Sequence, residues 1–266
     1  MKKFFLQLII FAGVFFLMWW GLSRIPWVDK FQIQKFTKER QEDLAELVLD
    51  LHRMDKEEIT DTAILGPVMS IRDVVCRANY IDTSAVRVHV FKDKMINAFA
   101  LPGGHIVVNT ELIKYCDNPE MLAGVMAHEM AHIELDHVSR KLAREIGLST
   151  IIAVSGGGDN VGVLKQVLYT LSSRGFDRKL ETEADEQAVL YMQNAKADPH
   201  QLAMFLKKLS TTSPDFPEAL QWMSTHPDTK ERVANIHKRS GAILSQSPLL
   251  DSTNWENLKT ATDDVE

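Results

Sequence analysis

Two histidines and a glutamate lie close together in the segment His128-Glu129-Met130-Ala131-His132. At about 3.6 residues per helical turn, the two histidines project from one face of a helix, so both imidazoles can bind a single metal ion. Glu129 lies beside them, where its carboxylate can take a proton from a metal-bound water. This spacing predicts a metallopeptidase that uses zinc to activate water.

A helix over this motif is also predicted by the residues before it. Asn118-Pro119-Glu120 is a typical helix start, and Met121 and Val125 belong to an apolar face. No glycine or proline interrupts the motif itself. The alternative interpretation is a buried structural helix with two coincidental histidines, because motifs this short also arise by chance.

A site with two histidines needs a third protein ligand, and the segment Glu181-Thr182-Glu183-Ala184-Asp185 offers one. Glu181 and Asp185 share a face of the predicted helix, whereas Glu183 lies about 200° around it from Glu181. This favours Glu181 as the ligand, with Asp185 accepting the free N–H of a metal-bound histidine. The alternative interpretation is an acidic helix face in contact with water.

Together these residues resemble the gluzincin-type zinc metallopeptidases related to the prenyl-protein peptidases, whose bacterial branches include the HtpX and BepA kinds. The resemblance covers residues 86–236, and four blocks in the same order are more specific than any single motif. The blocks are NAFALPGGH at 97–105, HEMAH at 128–132, ETEAD at 181–185, and STHP at 224–227 followed by Arg232.

The resemblance implies one zinc ion per chain and assigns roles to the residues around it. The implied zinc ligands are His128, His132 and Glu181, the implied catalytic residues are Glu129 and His226, and the implied supporting residues are Asp185 and Arg232. We therefore expect Glu129 to deprotonate the attacking water and to pass the proton to the departing amine.

Three roles stay open for the late histidine, His226. It can stabilise the oxyanion beside zinc, a role for which Arg232 is the second candidate. It can instead occupy the open zinc position and hold the enzyme inactive until a substrate displaces it. The third interpretation is purely structural, with the imidazole capping the turn before Pro227.

Other features near the motifs receive weaker interpretations. His105 is expected to begin a strand, and His137 to make a local hydrogen bond, rather than to bind metal. An extended substrate could pair with the edge of the strand that follows the glycines at 103 and 104. The glycine-rich stretch within 148–175 predicts a loop between helices, either a simple linker or a lid over the cleft.

The expected fold class is α+β: a mainly helical, zincin-like metallopeptidase domain with a small β-sheet edge next to the HExxH helix, and one N-terminal membrane helix. Helices are also predicted over 38–52 and after Pro67. The expected segments are a transmembrane anchor at 1–23, a juxtamembrane helical segment at 24–60, the metallopeptidase domain at 61–244, and a loose polar tail at 245–266.

The N-terminus predicts a location. Lys2 and Lys3 precede an apolar run over 4–22 that is about long enough to cross a bilayer as a helix. The positive-inside rule then places the catalytic domain on the non-cytoplasmic side, which is the periplasm in a Gram-negative bacterium. The alternative is a signal segment cleaved near Gly21-Leu22-Ser23, which would release a soluble secreted or periplasmic protein.

Composition fits one globular catalytic unit: 266 residues, 45% hydrophobic and 25% charged. The net charge of -6 and the lack of a basic cluster do not support nucleic-acid binding. Cys76 and Cys116 can be a disulfide or two buried thiols. The expected partners are unfolded or misfolded proteins and, through the N-terminal helix, the membrane. The competing function is a chaperone or assembly factor that binds clients with little or latched proteolysis, and the oligomeric state is not predicted.

Overall fold

The computed structural model describes residues 2–23, 36–156, 160–211, 222–227, 229–241 and 249–265, with the backbone alone at 2–6, 8–10 and 22–23. The chain divides into two compact units, Met1–Thr37 and Lys38–Glu266. Part of the predicted juxtamembrane segment, 24–35, lies outside the described residues.

The second unit is mainly helical with one small sheet, as predicted. Its described helices are α2 (Lys38–Asp55), α3 (Thr62–Ala78), α4 (Thr110–Tyr115), α5 (Pro119–Glu134), α6 (His137–Leu142), α7 (Leu148–Ser155), α8 (Val161–Ser173), α9 (Arg178–Asn194), α10 (His200–Thr211), α11 (Thr229–Ser240) and α12 (Ser252–Asp264). Its strands are β1 (Arg87–Phe91), β2 (Ala98–Ala100) and β3 (His105–Asn109).

The first unit contains helix α1 (Lys2–Ser23), which is 22 residues long. Described side chains along it, among them Phe11, Leu17 and Trp19, are exposed. Within the described part of the chain, no helix combines the length and the apolar character that a membrane crossing requires. The structure thus does not supply the membrane helix expected at 1–23, and the anchor stays a prediction.

The three strands form a sheet in the order β1-β3-β2. Strand β3 pairs in parallel with β1, from Arg87 opposite His105 onwards, and antiparallel with β2, where Phe99 lies opposite Val107. The strand after the glycines is therefore the central one. The expectation that a substrate pairs with its edge is wrong, because both of its edges already carry ladder hydrogen bonds. The edge strand that packs against α5 is β2.

Two glycines fix the turn between β2 and β3. Gly103 and Gly104 have φ values of 71° and 89°, a region that favours glycine. A Cβ atom on Gly104 would lie 2.0 Å from the carbonyl oxygen of Ala85, and one on Gly103 would lie 3.1 Å from the backbone of Glu42 in α2. Glycine at 103 therefore lets this turn pack directly against α2, and glycine at 104 lets it approach the backbone of Ala85.

The HExxH helix α5 forms the centre of the unit. Asn118 caps it by accepting a hydrogen bond from the backbone N–H of Met121 at 2.8 Å, and Pro119 takes the first helical position, as the sequence predicts. The helix packs against β2, α9 and α10. Gly124 allows the close approach of α10, since a Cβ there would lie 3.0 Å from the Cβ of Leu202. Because α5 is buried on all sides from 121 to 132, its polar residues face protein rather than water.

Two expected boundaries are wrong. Helix α3 begins at Thr62, five residues before Pro67, because the Asp61 carboxylate caps its first turn through the N–H of Ala63. In the described part of the tail expected at 245–266, the chain is not loose, since α12 packs against α3 and α4 and buries Trp255. Cys76 and Cys116 are both buried free thiols.

Candidate metal centre

Helices α5 and α9 pack together and bring the three predicted ligands to one point. His132 Nε2 lies 3.0 Å from His128 Nε2. Glu181 places one carboxylate oxygen 3.5 Å from His128 Nε2 and the other 3.6 Å from His132 Nε2. All three side chains are buried. Donor atoms that converge in this way, from two imidazoles and a carboxylate, suit zinc.

His226 joins this group from the turn before α11. Its Nδ1 lies 3.0 Å from Glu181 Oε1 and 3.3 Å from His128 Nε2, while its Nε2 lies 3.4 Å from Glu129 Oε1. The imidazole stacks on the ring of Trp222, with centroids 4.1 Å apart. Four groups, His128, His132, Glu181 and His226, thus each offer one donor atom within 4.8 Å of the others.

The chemistry of the two α5 histidines fits a bound cation. Two neutral imidazoles whose Nε2 lone pairs face each other at 3.0 Å repel unless a proton or a metal ion lies between them. Two nitrogen ligands of a tetrahedral zinc ion, each at about 2.0–2.1 Å, would lie about 3.3 Å apart. The observed separation is close to that value, so the residues present fit a zinc ion.

Asp185 and Arg232 lie directly behind the ligands. Asp185 Oδ1 is 3.0 Å from His128 Nδ1, an ion-pair distance. The Arg232 guanidinium donates two hydrogen bonds of 2.7 Å to the Asp185 carboxylate and lies 2.6 Å from Glu181 Oε2. Burial opposes the charge on Asp185, but Arg232 and His128 outweigh it and hold the pKa of that carboxyl below its usual value. Arg232 therefore links the predicted ligand Glu181 to Asp185, which contacts the predicted ligand His128.

Arg232, the second oxyanion candidate, is held mainly by protein groups. Arg232 already donates to Asp185, contacts Glu181, and gives a further hydrogen bond of 3.2 Å to the carbonyl oxygen of His226. These three partners place Arg232 as a support for the ligands, while its guanidinium also lines the cavity beside α9.

Glu129 lies beside the ligands without sharing their contacts. Its carboxylate is 1% exposed, and neither oxygen makes a well-directed hydrogen bond within the described part of the chain. Burial raises the pKa of Glu129 to about 8. A buried carboxylate with a pKa near the working pH suits a group that must accept a proton and release it again.

The charges of Glu181, His132 and His226 suit metal binding, whereas His128 must first lose a proton. Burial opposes the charge on His128, but Asp185 and Glu181 outweigh burial and raise its pKa to about 9. Burial opposes ionisation of Glu181, but His226 and Arg232 outweigh it and hold the pKa of that carboxyl well below its usual value. Burial among other imidazoles lowers the pKa of His132 well below its usual value and that of His226 to about 4. Glu181 is thus ionised and both imidazoles are neutral, which are the forms that bind a metal ion.

Several contacts at the site escaped the sequence analysis because they involve residues outside any motif. The Phe176 ring stacks on His132 with centroids 3.9 Å apart, and the Lys141 amine lies 4.1 Å from the centroid of Phe176. Phe176 reaches this position through the chain after α8, where its N–H donates to the carbonyl oxygen of Thr225. A single aromatic residue in a loop gives no sequence signal for such a contact.

From the sequence, His105 and His137 are expected to serve local structure rather than to bind metal. His105 begins β3, as predicted. Its Nδ1 lies 2.9 Å from His89 Nε2 and its Nε2 lies 3.2 Å from Glu42 Oε1. His137 makes the expected local contact, but with a ligand: its Nδ1 lies 3.1 Å from His132 Nδ1. Burial lowers the pKa of His137 to about 4, so its imidazole is neutral.

A cavity of about 290 Å³ reaches the metal centre between α9 and α11. Glu181, Arg232 and Pro227 line it, together with Arg178 and Thr182 of α9. Because the ligands themselves are buried, this cavity connects the third ligand to the outside of the domain.

Comparison with known proteins agrees with this geometry. Residues 68–240 match the protein family described as Peptidase family M48. The chain is 33% identical over 152 residues to the mitochondrial metalloendopeptidase OMA1 of Schizosaccharomyces pombe, which covers 56% of this chain and 45% of that protein. It is 27% identical over 189 residues to the beta-barrel assembly-enhancing protease of Yersinia pestis, covering 64% and 37%. For the human metalloendopeptidase OMA1 the identity is 29% over 168 residues, covering 57% and 32%. The chain spans less than half the length of these relatives.

Proposed function

This chain belongs to peptidase family M48 and is a metalloprotease, and from that premise we propose that it is a zinc-dependent endopeptidase acting on unfolded or misassembled proteins. The observation that carries the proposal is the convergence of His128, His132 and Glu181 around a point beside the buried carboxylate of Glu129. A metal site with an adjacent base is the arrangement that peptide hydrolysis by metal-activated water requires.

In the proposed mechanism His128, His132 and Glu181 would hold a zinc ion. Bound zinc would supply the Lewis acidity that activates water. Glu129 takes the proton of the attacking water and gives it to the departing amine, a double task for which its raised pKa is suited. Asp185 keeps His128 in the orientation that presents Nε2 to the metal.

For His226 we propose a catalytic role beside the base. Its Nε2 lies 3.4 Å from Glu129 and its ring stacks on Trp222, so the imidazole is held next to the base, from where it would assist the oxyanion in the substrate complex. The latched state is the competing proposal, and it is motivated by the 3.0 Å contact between His226 and Glu181, which puts the imidazole among the ligands.

Substitution of His226 distinguishes these roles. We expect His226→Ala to lower kcat by about 10²- to 10³-fold, because removal of one oxyanion donor has an effect of that size. Steady-state cleavage of a fluorogenic peptide measures it, with His237→Ala, an exposed histidine of α11, as the control. A rise in activity would instead show that His226 latches the metal centre.

The second candidate function is a chaperone or assembly factor that holds client chains with its proteolysis latched. Two observations favour keeping it: the metal ligands and Glu129 are at most 1% exposed, and one relative is named for enhancing the assembly of β-barrels. A closed site of this kind binds clients without cutting them until it opens.

We further propose that the chain acts in protein quality control at the cell envelope. The apolar run over 4–22 would anchor the chain in the membrane. The positive-inside rule would then place the second unit on the non-cytoplasmic side. Cleavage of that run by a signal peptidase is the alternative, and N-terminal sequencing of the protein from membrane and soluble fractions separates the two.

The test of the proposed activity uses the full chain purified in detergent. We expect about one zinc ion per chain by elemental analysis and cleavage of unfolded casein at internal bonds, while a stably folded protein of similar size stays intact. Bound zinc with casein held but uncut would favour the chaperone. A chain that binds no zinc would overturn the proposal.

A further inference from the structure

We propose that His137, held by Glu183, is a positioning residue that fixes His132 in the tautomer able to bind the metal. The inference rests on the proposed metal site. Three groups form a line: His132 Nδ1 lies 3.1 Å from His137 Nδ1, and His137 Nε2 lies 3.3 Å from Glu183 Oε2. Neither His137 nor Glu183 has a role in the mechanism described above.

The chemistry of this line leaves one consistent arrangement of protons. The carboxylate of Glu183 can only accept, so His137 Nε2 must carry the proton that it donates. When His132 binds the metal through Nε2, its own proton is on Nδ1, and His137 Nδ1 is the atom in position to accept it. The Nε2 of His132 then keeps a free lone pair directed at His128 and Glu181.

The surroundings of His137 hold its ring in this position. The imidazole is fully buried and its ring centroid lies 5.1 Å from that of His132. Glu183, its one carboxylate partner among the described contacts, also lies 3.6 Å from Lys179 of the same helix.

A break in the helix makes this contact possible. On a continuous helix, residues five apart lie about 140° from each other, so His132 and His137 would face different directions. Helix α5 ends at Glu134, and Asp136 adopts a left-handed conformation with φ 56°. Helix α6 then starts at His137 and returns the imidazole to the ring of His132.

Helix α9 therefore serves both histidines of the metal site. Asp185 lies at His128 Nδ1, and Glu183, two residues earlier, acts on His132 through His137. Glu181 is itself a ligand. The three acidic residues of the ETEAD segment thus take three different positions around one ion, one inside the coordination sphere and two behind it.

The test is the zinc affinity of the full chain, measured by competition with a fluorescent chelator. We expect His137→Leu to weaken zinc binding by about 10- to 100-fold, the usual effect of losing a partner of a metal-binding histidine. His137→Asn should restore most of the affinity, because its amide oxygen can accept from His132 Nδ1. Glu183→Ala should give a smaller loss, and Glu186→Ala, which alters another glutamate of α9, none.

The melting temperature of the metal-free chain separates positioning from general packing. If zinc affinity falls in His137→Leu and Glu183→Ala while this temperature is unchanged, and His137→Asn restores most of the affinity, the inference holds. Loss of affinity in His137→Asn equal to that in His137→Leu overturns it. Unchanged affinity in His137→Leu, with tight zinc binding by the wild type, overturns the inference and leaves the proposed function intact. A wild type that binds no zinc overturns both.

Discussion

Replacing Glu129 by glutamine is expected to slow peptide cleavage by about 10²- to 10⁴-fold while the zinc ion stays bound. Glutamine has nearly the same shape as glutamate but cannot accept the proton of the attacking water. The side chain is 1% exposed, so bulk water cannot easily replace it as the base. Initial rates of casein and peptide cleavage, together with zinc content, measure both parts of this expectation.

The matched control is Glu134→Gln, an exposed glutamate at the end of the same helix, whose activity should equal that of the wild type. Client binding gives a second comparison, because Glu129→Gln should still bind unfolded casein. If the Glu129 variant cut casein at the wild-type rate, the assignment of the base would be wrong. If neither protein cut casein and both bound it, the chain would be a binding protein.

Replacing Arg232 by methionine is expected to lower the free energy of unfolding by about 3–5 kcal/mol, the usual cost of leaving buried carboxylates without their partner. Arg232 is 3% exposed and joins α11 to both Asp185 and Glu181 of α9. Its loss would leave two carboxylates close together in the interior. Urea unfolding of the metal-free chain measures the change without a contribution from zinc.

The same two helices supply a matched control. Arg239 of α11 donates to Glu186 of α9 near the surface, where its side chain is 52% exposed. We expect Arg239→Met to cost less than about 1 kcal/mol, because water screens exposed pairs. Equal losses of unfolding free energy for Arg232→Met and Arg239→Met would show that the buried ion pairs stabilise the fold no more than the exposed pair. Adding Asp185→Asn to Arg232→Met should recover part of the loss.

Local sequence predicts the helices of the site well. Helix α5 starts where Asn118 and Pro119 place it, and α9 contains the predicted ETEAD segment on a longer helix. Both predictions depend on spacing within one helix, where the angle between residues is fixed by helical geometry. The geometry that brings Glu181 to the histidines comes from packing between helices, which the sequence indicates only through the resemblance.

Features that depend on a change of direction were not predictable from spacing. The contact of His137 with His132 requires the left-handed Asp136, and an uninterrupted helix would have separated the two rings. The stacking of Trp222 on His226 joins neighbours on one turn, but nothing in the sequence fixes their rotamers. The central place of β3 depends on β1, a strand that no motif marks.

The end of the chain shows a signal that composition concealed. Residues 245–266 are polar on average, yet Trp255, Leu258 and Thr262 fall on one face and are buried. Asp251 caps the helix by accepting from the N–H of Asn254 at 2.9 Å. A capping residue followed by apolar residues at helical spacing predicts a helix, whereas the average polarity of the segment does not reveal it.

The two ligand-bearing helices, α5 and α9, are separated along the chain by α6, α7 and α8. A newly synthesised chain whose helices have formed but not yet docked holds two histidines in one place and the acidic ligand in another, and so has no hydrolytic centre. In the proposed protease, hydrolysis would thus become possible only after these helices have docked. Because an ion that needs both helices binds the native state alone, the proposed zinc ion would also stabilise the completed fold.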